Sequence, residues 1–258
     1  MASLQAAKKE LRGQIKKVLS GLSAESINKQ SATVTKSLLS LPEYQAAKRL
    51  SVYLAMPSGE IQTADIVRDA FSQGKQVYVP YIYQLDSVAT QGRKSVMEML
   101  ALRSVEDYES LQPDKWGIPS LDAGTLATRE NCFGGYGLLG LSNPAAEKDE
   151  SGLDLIVMPG LAFDEKFGRL GHGKGYYDHF IMRSRGQHAD ATNARRIPYL
   201  GKNLCQFPIT TCRRLIQSIA ALTLEEQVLP PSERVPTAEH DCPVDALIVG
   251  DGRVLKRA

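Results

Sequence analysis

Cysteine is scarce and scattered. Cys132, Cys205, Cys212 and Cys242 are the only four in 258 residues, with no CxxC pair and no histidine pair beside them at zinc-finger spacing. That argues against a disulfide scaffold and against structural zinc, and in favour of free thiols in a reducing compartment. No apolar run approaches the roughly 18 residues of a membrane span, and none follows the first charges as a secretory signal requires. An excess of one charge is also missing: 31 Lys+Arg against 29 Asp+Glu leaves +2. A coat for nucleic acid is therefore not expected, nor a membrane partner, and an anionic ligand must be met by local positive charge. There are no internal repeats, and Trp116 is the single tryptophan. What is present is ordinary for a globular chain, 43% hydrophobic and 23% charged. A chain this long can bury a full core without staples.

Leu11, Ile15, Val18, Leu19 and Leu22 recur at helical spacing. Lys8 and Arg12 project from one side of that helix, which on periodicity alone reads as a solvated basic face. The basic start imitates a transit peptide, but Glu10 and the apolar stripe favour a helix of the folded domain. A cytoplasmic location is expected, with a mitochondrial fraction left open. A second helix covers residues 23–40. A strand is predicted over Arg49–Met56, stopped by Pro57 and Gly59, then an amphipathic helix over Thr63–Gln73 ending at Gly74, then the strand "KQVYVPYIY". Strand–helix–strand is the unit of a parallel sheet. Val96–Leu102 reads as a further strand, and residues 110–150 as loops. Leu153–Gly160 is a near-continuous apolar run, the signature of a strand buried on both faces, and Val244–Gly252 is another. The expected fold class is α/β: one domain over residues 1–258, three-layer α/β/α, Rossmann-like, with a largely parallel sheet and a loop-rich insertion at 120–152.

The chemistry is concentrated after the buried strand, in "MPGLAFDEKFGRLGHGKGYYDHFI". Gly168, Gly171, Gly173 and Gly175 are interleaved with Arg169, His172 and Lys174, and a helical pattern starts at Tyr176 and Tyr177. A glycine-rich turn between a strand and a helix presents free N–H groups at the positive end of a helix dipole, which suits phosphate. Gly168-x-x-x-x-Gly173-Lys174 imitates a P-loop, but Gly175 stands where a P-loop carries its magnesium-binding hydroxyl. A nearby carboxylate could supply the metal ligand instead, and Asp178, on the first turn of the following helix, is the candidate; the other reading is a glycine-rich turn whose helix acid serves only the dipole. No Ser-His-Asp or Cys-His set is evident.

This string resembles the signature of the 5-formyltetrahydrofolate cyclo-ligases, also called methenyltetrahydrofolate synthetases. "KKELRGQIKKVLS", "VYLAMPSGEIQT", "GKQVYVPYI", "KWGIP" and "EEQVLPPSERVPTAEHDCPVDALIVGDG" resemble further family blocks in family order. The resemblance implies Mg-ATP-dependent conversion of 5-formyltetrahydrofolate to 5,10-methenyltetrahydrofolate, with release of ADP and phosphate. It implies that Lys8, Arg12, Arg169, Gly171, His172, Gly173, Lys174, Gly175, Tyr176 and Tyr177 contact ATP, with Lys174 and Arg169 the catalytic cations. It implies magnesium on Asp178 and Asp241, and folate beside Leu54, Glu60, Trp116 and Tyr176, with Glu60 accepting pterin N–H groups. Many relatives carry Arg where this chain has His172. The expected partners are the small molecules folate and ATP, and the expected state is a monomer. Two other readings stay open: a small-molecule kinase using the glycine-rich turn, and an inactive nucleotide- or folate-binding relic.

One departure from the family pattern stands out. "PYL" ends at Leu200 and "ALTLEEQ" begins at Ala221. Removing residues 201–220 joins the flanks into one strand of ordinary length. The segment reads as a retained intron, since Gly-Lys codons can hold a GTAAG-like donor and "LIQSIA" a branch point and acceptor, or as a genuine excursion outside the sheet. In the intact chain the strand is expected to be cut short or interrupted.

Overall fold

The computed structural model describes residues 2–84, 95–138, 152–184 and 218–257. Six α-helices and eleven strands follow in chain order: α1 (Ala2–Leu19), α2 (Ala24–Leu39), α3 (Pro42–Ala46), β1 (Arg49–Val52), α4 (Ala64–Ser72), β2 (Gln76–Gln84), β3 (Ser95–Ala101), α5 (Val105–Glu109), β4 (Gln112–Pro113), β5 (Pro119–Ser120), β6 (Leu155–Met158), β7 (Ala162–Phe163), β8 (Arg169–Leu170), α6 (Tyr176–Ser184), β9 (Ser218–Thr223), β10 (Ala246–Val249) and β11 (Val254–Lys256).

Seven strands form one sheet in the order β11-β10-β9-β6-β1-β2-β3. The five inner strands are parallel, and β3 and β11 run antiparallel at the edges. The short pairs β4–β5 and β7–β8 stand apart as hairpins. From β1 the chain steps to β2 and β3 on one side; from β6 it steps to β9, β10 and β11 on the other. The order therefore reverses between the neighbours β1 and β6, and in an open parallel sheet the crevice beyond the carboxyl ends of such strands is where ligands bind.

Burial on both faces explains the apolar runs. Leu50, Val52, Val77, Leu155, Val157, Leu222 and Ile248 pack with Leu11, Ile15, Val34, Leu38 and Ile66 of α1, α2 and α4 in one core. Ile156, Met158, Ile219, Ala221, Leu247 and Val249 point the other way and meet Phe180 and Ile181 of α6 in a second. Alternate residues of each strand thus feed opposite layers. The three-layer expectation holds, with the inner sheet parallel.

Several boundaries differ from the sequence reading. β1 ends at Val52 and not at Met56. Tyr53 stays buried but leaves the sheet, because its carbonyl accepts from Thr63 Oγ1 at 2.7 Å and its hydroxyl donates to the Ile61 carbonyl at 2.8 Å. Val18 belongs to the helical stripe by spacing but is 48% exposed. The described part of the loop-rich 120–152 segment lies along an edge: Cys132 N–H donates to the Met99 carbonyl at 3.0 Å and Ala101 N–H to the Glu130 carbonyl at 2.9 Å. It covers the open side of β3, where an exposed strand would otherwise invite foreign pairing. Residues 139–151 lie outside the described residues, as do Cys205, Cys212 and residues 201–217. Ser218, Ile219 and Ala220, the last residues of the segment read as an insertion, are strand: they pair with Leu155, Ile156 and Val157 of β6. β9 runs unbroken over its six residues, while residues 197–200, the other flank of the expected strand, lie outside the described residues.

Candidate active site

Two loops follow the carboxyl ends of β1 and β6 and face each other across the reversal point. The first, residues 53–63, carries Glu60. Gln62 Nε2 donates to the carbonyls of Met56 at 2.9 Å and Glu60 at 3.1 Å, and Gly59 takes φ +75°, so the loop is braced from within. Glu60 is 6% exposed, and its Oε2 accepts the Met56 N–H at 3.0 Å. The neighbouring turn carries Trp116. Asp114 Oδ1 accepts from the N–H groups of Trp116 and Ile118 at 2.8 and 3.0 Å. Gly117, at φ +78°, lies so close to Pro57 that a β-carbon would stand 2.7 Å from its ring. Trp116 is thereby held beside the Glu60 loop while remaining 63% exposed. Leu54, expected to touch folate, is 7% exposed and packed in the core.

The second loop is more than a glycine turn. It first makes the hairpin β7–β8, organised by Asp164, whose Oδ1 accepts the N–H groups of Lys166 at 2.8 Å and Gly168 at 3.0 Å. Asp164 Oδ2 also accepts the Val235 N–H at 2.8 Å, tying in the segment before Asp241. Sequence reasoning missed Asp164; an Asp four residues before a turn glycine was the signal available. Then comes the turn itself. Gly173 and Gly175 take φ of +107° and +65°, where a side chain is strained. A β-carbon on Gly173 would stand 3.4 Å from Arg12, and one on Gly175 3.5 Å from His179. The turn ends at the amino end of α6, whose free N–H groups and dipole favour an anion.

The predicted cations fall into two sets. Lys174 is exposed on the turn and makes no ion pair or hydrogen bond among the described residues. Arg12 reaches over from α1 and donates Nε to the Gly171 carbonyl at 2.9 Å. Lys8, buried on the same helix face, pairs with Asp241. The solvated-face reading of Lys8 and Arg12 is therefore corrected: both point into the site. Arg169 and Asp178 differ from expectation in the opposite sense. Both are buried, and Arg169 Nη2 donates to Asp178 Oδ1 and Oδ2 at 2.9 and 3.0 Å. The Cys242 N–H adds a third bond to Asp178 Oδ1 at 3.0 Å. They face each other behind the turn rather than opening onto it, because a buried charge needs its counter-charge near.

Asp241 is the more open carboxylate. Burial raises its pKa, but hydrogen bonds from Lys8 and from the Ala238 N–H outweigh it, and the net shift is downward. Burial pushes Tyr53 and Tyr177 the other way and the charge of Glu60 adds to it, while at Tyr177 Arg169 opposes the rise without reversing it, so both phenols stay protonated. The Tyr177 hydroxyl is buried without a hydrogen-bond partner among the described residues, and Arg169 lies 5.8 Å from its ring centre. Tyr176 is turned toward β3, its hydroxyl 2.8 Å from Ser95 Oγ. His172 joins the two loops: its Nε2 lies 3.5 Å from Glu60 Oε1.

Fold and site together define an α/β protein with a glycine turn at a helix amino end, set at a sheet reversal point opposite a buried carboxylate. The model of the 5-formyltetrahydrofolate cyclo-ligase family matches residues 4–198, and the chain belongs to that family. It is 32% identical over 249 residues to the 5-formyltetrahydrofolate cyclo-ligase of Mus musculus, covering 96% of each chain. It is 30% identical over 241 residues to the probable 5-formyltetrahydrofolate cyclo-ligase of Schizosaccharomyces pombe, covering 93% of this chain and 94% of that one. Among solved structures, the 5,10-methenyltetrahydrofolate synthetase of Aquifex aeolicus aligns with a TM-score of 0.57 at 22% identity, over 96% of this chain and 92% of that one, a likeness of fold. No helix among the described residues is long and apolar enough to cross a membrane.

Proposed function

We propose that this chain closes the ring of 5-formyltetrahydrofolate to 5,10-methenyltetrahydrofolate with consumption of ATP, at the crevice between the β1 and β6 loops. The observation that carries this placement is the glycine turn, with Gly173 and Gly175 left-handed, Lys174 exposed, and Arg12 backing the turn.

A formamide oxygen is a poor leaving group. When it attacks the γ-phosphorus, ADP departs and the oxygen becomes part of a phosphate ester. N10 then attacks the formyl carbon and loses its proton, the C–O bond breaks, and inorganic phosphate leaves. No covalent nucleophile from the protein is required. The protein's work is alignment and charge neutralisation. Lys174 and the turn N–H groups hold the phosphates. Arg12 commits Nε to Gly171, which aims the rest of its guanidinium at the turn. Glu60 accepts pterin N–H groups, and Trp116 flanks the ring system.

The donor chemistry fits magnesium, which takes one or two carboxylates together with phosphate oxygens. Asp241 would hold the ion, with Asp178 oriented behind it by Arg169. When bound, the ion supplies neutralisation of phosphate charge. Lys8 and Asp241 are mutual partners here, so arrival of a phosphate for Lys8 and a cation for Asp241 exchanges one ion pair for two contacts. The test is near-ultraviolet absorbance of methenyltetrahydrofolate on mixing enzyme, Mg-ATP and 5-formyltetrahydrofolate. ATP consumption without that absorbance would point to a kinase, and absence of both to a relic.

A further inference from the structure

We infer that His172 couples the folate and nucleotide subsites, acting as a removable cap on Glu60 that each substrate displaces in favour of the other. This rests on the assignment of the two subsites made above.

The geometry is specific. Glu60 follows β1 and His172 follows β6, the strands between which the sheet order reverses. The Glu60 side chain is 7% exposed and has one oxygen committed, Oε2 to the Met56 N–H. The remaining oxygen, Oε1, is the acceptor available to a pterin, and it is the oxygen that His172 Nε2 approaches at 3.5 Å. His172 itself is 42% exposed, and it sits between Gly171, whose carbonyl is held by Arg12, and Gly173, at φ +107°. The imidazole is therefore an exposed group on an anchored turn, whereas Glu60 is a buried group in a braced loop.

The other groups around Glu60 cannot play this part. Tyr53 donates its hydroxyl to the Ile61 carbonyl at 2.8 Å. The Tyr177 hydroxyl is fully buried. Arg169 is committed to Asp178 through Nη2. Among the described residues, His172 alone both faces the carboxylate and stands on the turn that would hold a phosphate.

Two consequences follow. Pterin N–H donors that take Glu60 Oε1 release His172, which then adds a donor to the phosphate cradle. A triphosphate that draws His172 toward itself uncaps Glu60 and makes folate binding cheaper. A ligand can shift such an equilibrium only through its different affinity for the two arrangements, and the coupling must be equal in both directions. A single partly exposed contact supports a coupling of about five-fold, at the low end of the usual range.

The experiment is calorimetric binding of a non-hydrolysable ATP analogue, with magnesium, to the full-length protein in the absence and presence of saturating 5-formyltetrahydrofolate. Wild type is expected to bind the analogue about five-fold more tightly with folate present. In His172→Ala the two affinities coincide, and folate alone binds more tightly than to wild type because Glu60 is already uncapped. In Glu60→Gln the coupling is also lost, with weaker folate binding. Thermal unfolding of His172→Ala should match wild type, since the side chain is on the surface. Unchanged coupling in His172→Ala, or weaker folate binding in it, overturns the inference and leaves the cyclo-ligase assignment standing, as does a wild type that binds both ligands without coupling. Failure of wild type to bind the analogue at all removes the subsite assignment and this inference together.

Discussion

Arg169 presents Nη2 to both carboxylate oxygens of Asp178, at 2.9 and 3.0 Å, and the Cys242 N–H reaches the same carboxylate. One acid thus binds β8, α6 and the segment after Asp241 into a unit. Asp178→Asn leaves a buried guanidinium without a counter-charge, at a cost of about 3–5 kcal/mol. Urea unfolding should register that loss directly, and added magnesium should not restore it. A variant with wild-type stability and a purely magnesium-dependent defect would show that Asp178 serves the metal and not Arg169.

Lys174 is the opposite case, exposed on the turn and without a protein partner among the described residues. Lys174→Ala should remove a charge-assisted phosphate contact of about 1.5–3 kcal/mol. ATP affinity should fall by about 10- to 150-fold while the melting temperature stays put. Equal ATP affinity in the variant would move the cradle elsewhere.

Trp116 is a built-in reporter, being the only tryptophan in the chain and 63% exposed beside the Glu60 loop. Saturating 5-formyltetrahydrofolate should quench its emission and shift it to shorter wavelength as the ring system covers it. The same titration with ATP alone should leave it nearly unchanged. An emission indifferent to folate would reduce Trp116 to an anchor for the Pro57 contact.

Acid should expose a second structural pair, away from the site. Arg129 grips Asp107 through Nη1 at 2.6 Å and Nη2 at 2.8 Å. These bonds hold the Asp107 carboxyl below its ordinary 3.8, against an opposing push from burial and with help from the Arg103 N–H. A carboxyl with a depressed folded pKa stabilises fully above its unfolded pKa and loses that contribution as pH falls through the folded one. Asp107→Asn should therefore cost about 1.5–3 kcal/mol near pH 7. The gap from wild type should hold down to about pH 5 and close below pH 4. A gap that persists undiminished into strong acid would assign the loss to packing.

Excising residues 201–220 should yield a soluble, active chain at least as stable as the full one. Leu200 and Tyr199 would then occupy the register of Ala220 and Ile219, preserving apolar side chains toward both cores. Transcripts lacking the segment would agree with its being a retained intron. A chain destabilised by more than about 2 kcal/mol would show that Ser218–Ala220 are the strand's proper residues, since lost ladder bonds cost about that much.

The inner strands were legible because burial on both faces leaves a continuous apolar run, as at Ile156 and Val157, and helices such as α4 because one apolar stripe ends at a left-handed glycine, Gly74 at φ +69°. The β7–β8 hairpin was not, since two-residue strands carry no periodicity. At the site, residue types and glycine spacing announced an anion cradle, but a charge in a sequence does not name its partner. Arg169, Asp178 and Lys8 all read as ligands; folding pairs the first two with each other and the third with Asp241. The approach of His172 to Glu60 depends on which strands become neighbours, and only the sheet order decides that.

The ion pair of Lys8 with Asp241 spans 233 positions of chain. Joining ends so distant costs entropy that grows only slowly with separation, by about 0.6 kcal/mol per doubling, so the burden on final stability is small. The burden on timing is larger. During synthesis α1 emerges 233 positions ahead of its acidic partner, with Lys8 and the apolar face of Leu11 and Ile15 lacking native neighbours meanwhile. The site proposed for nucleotide is thus completed late, and a chain stalled short of Asp241 lacks the partner of Lys8.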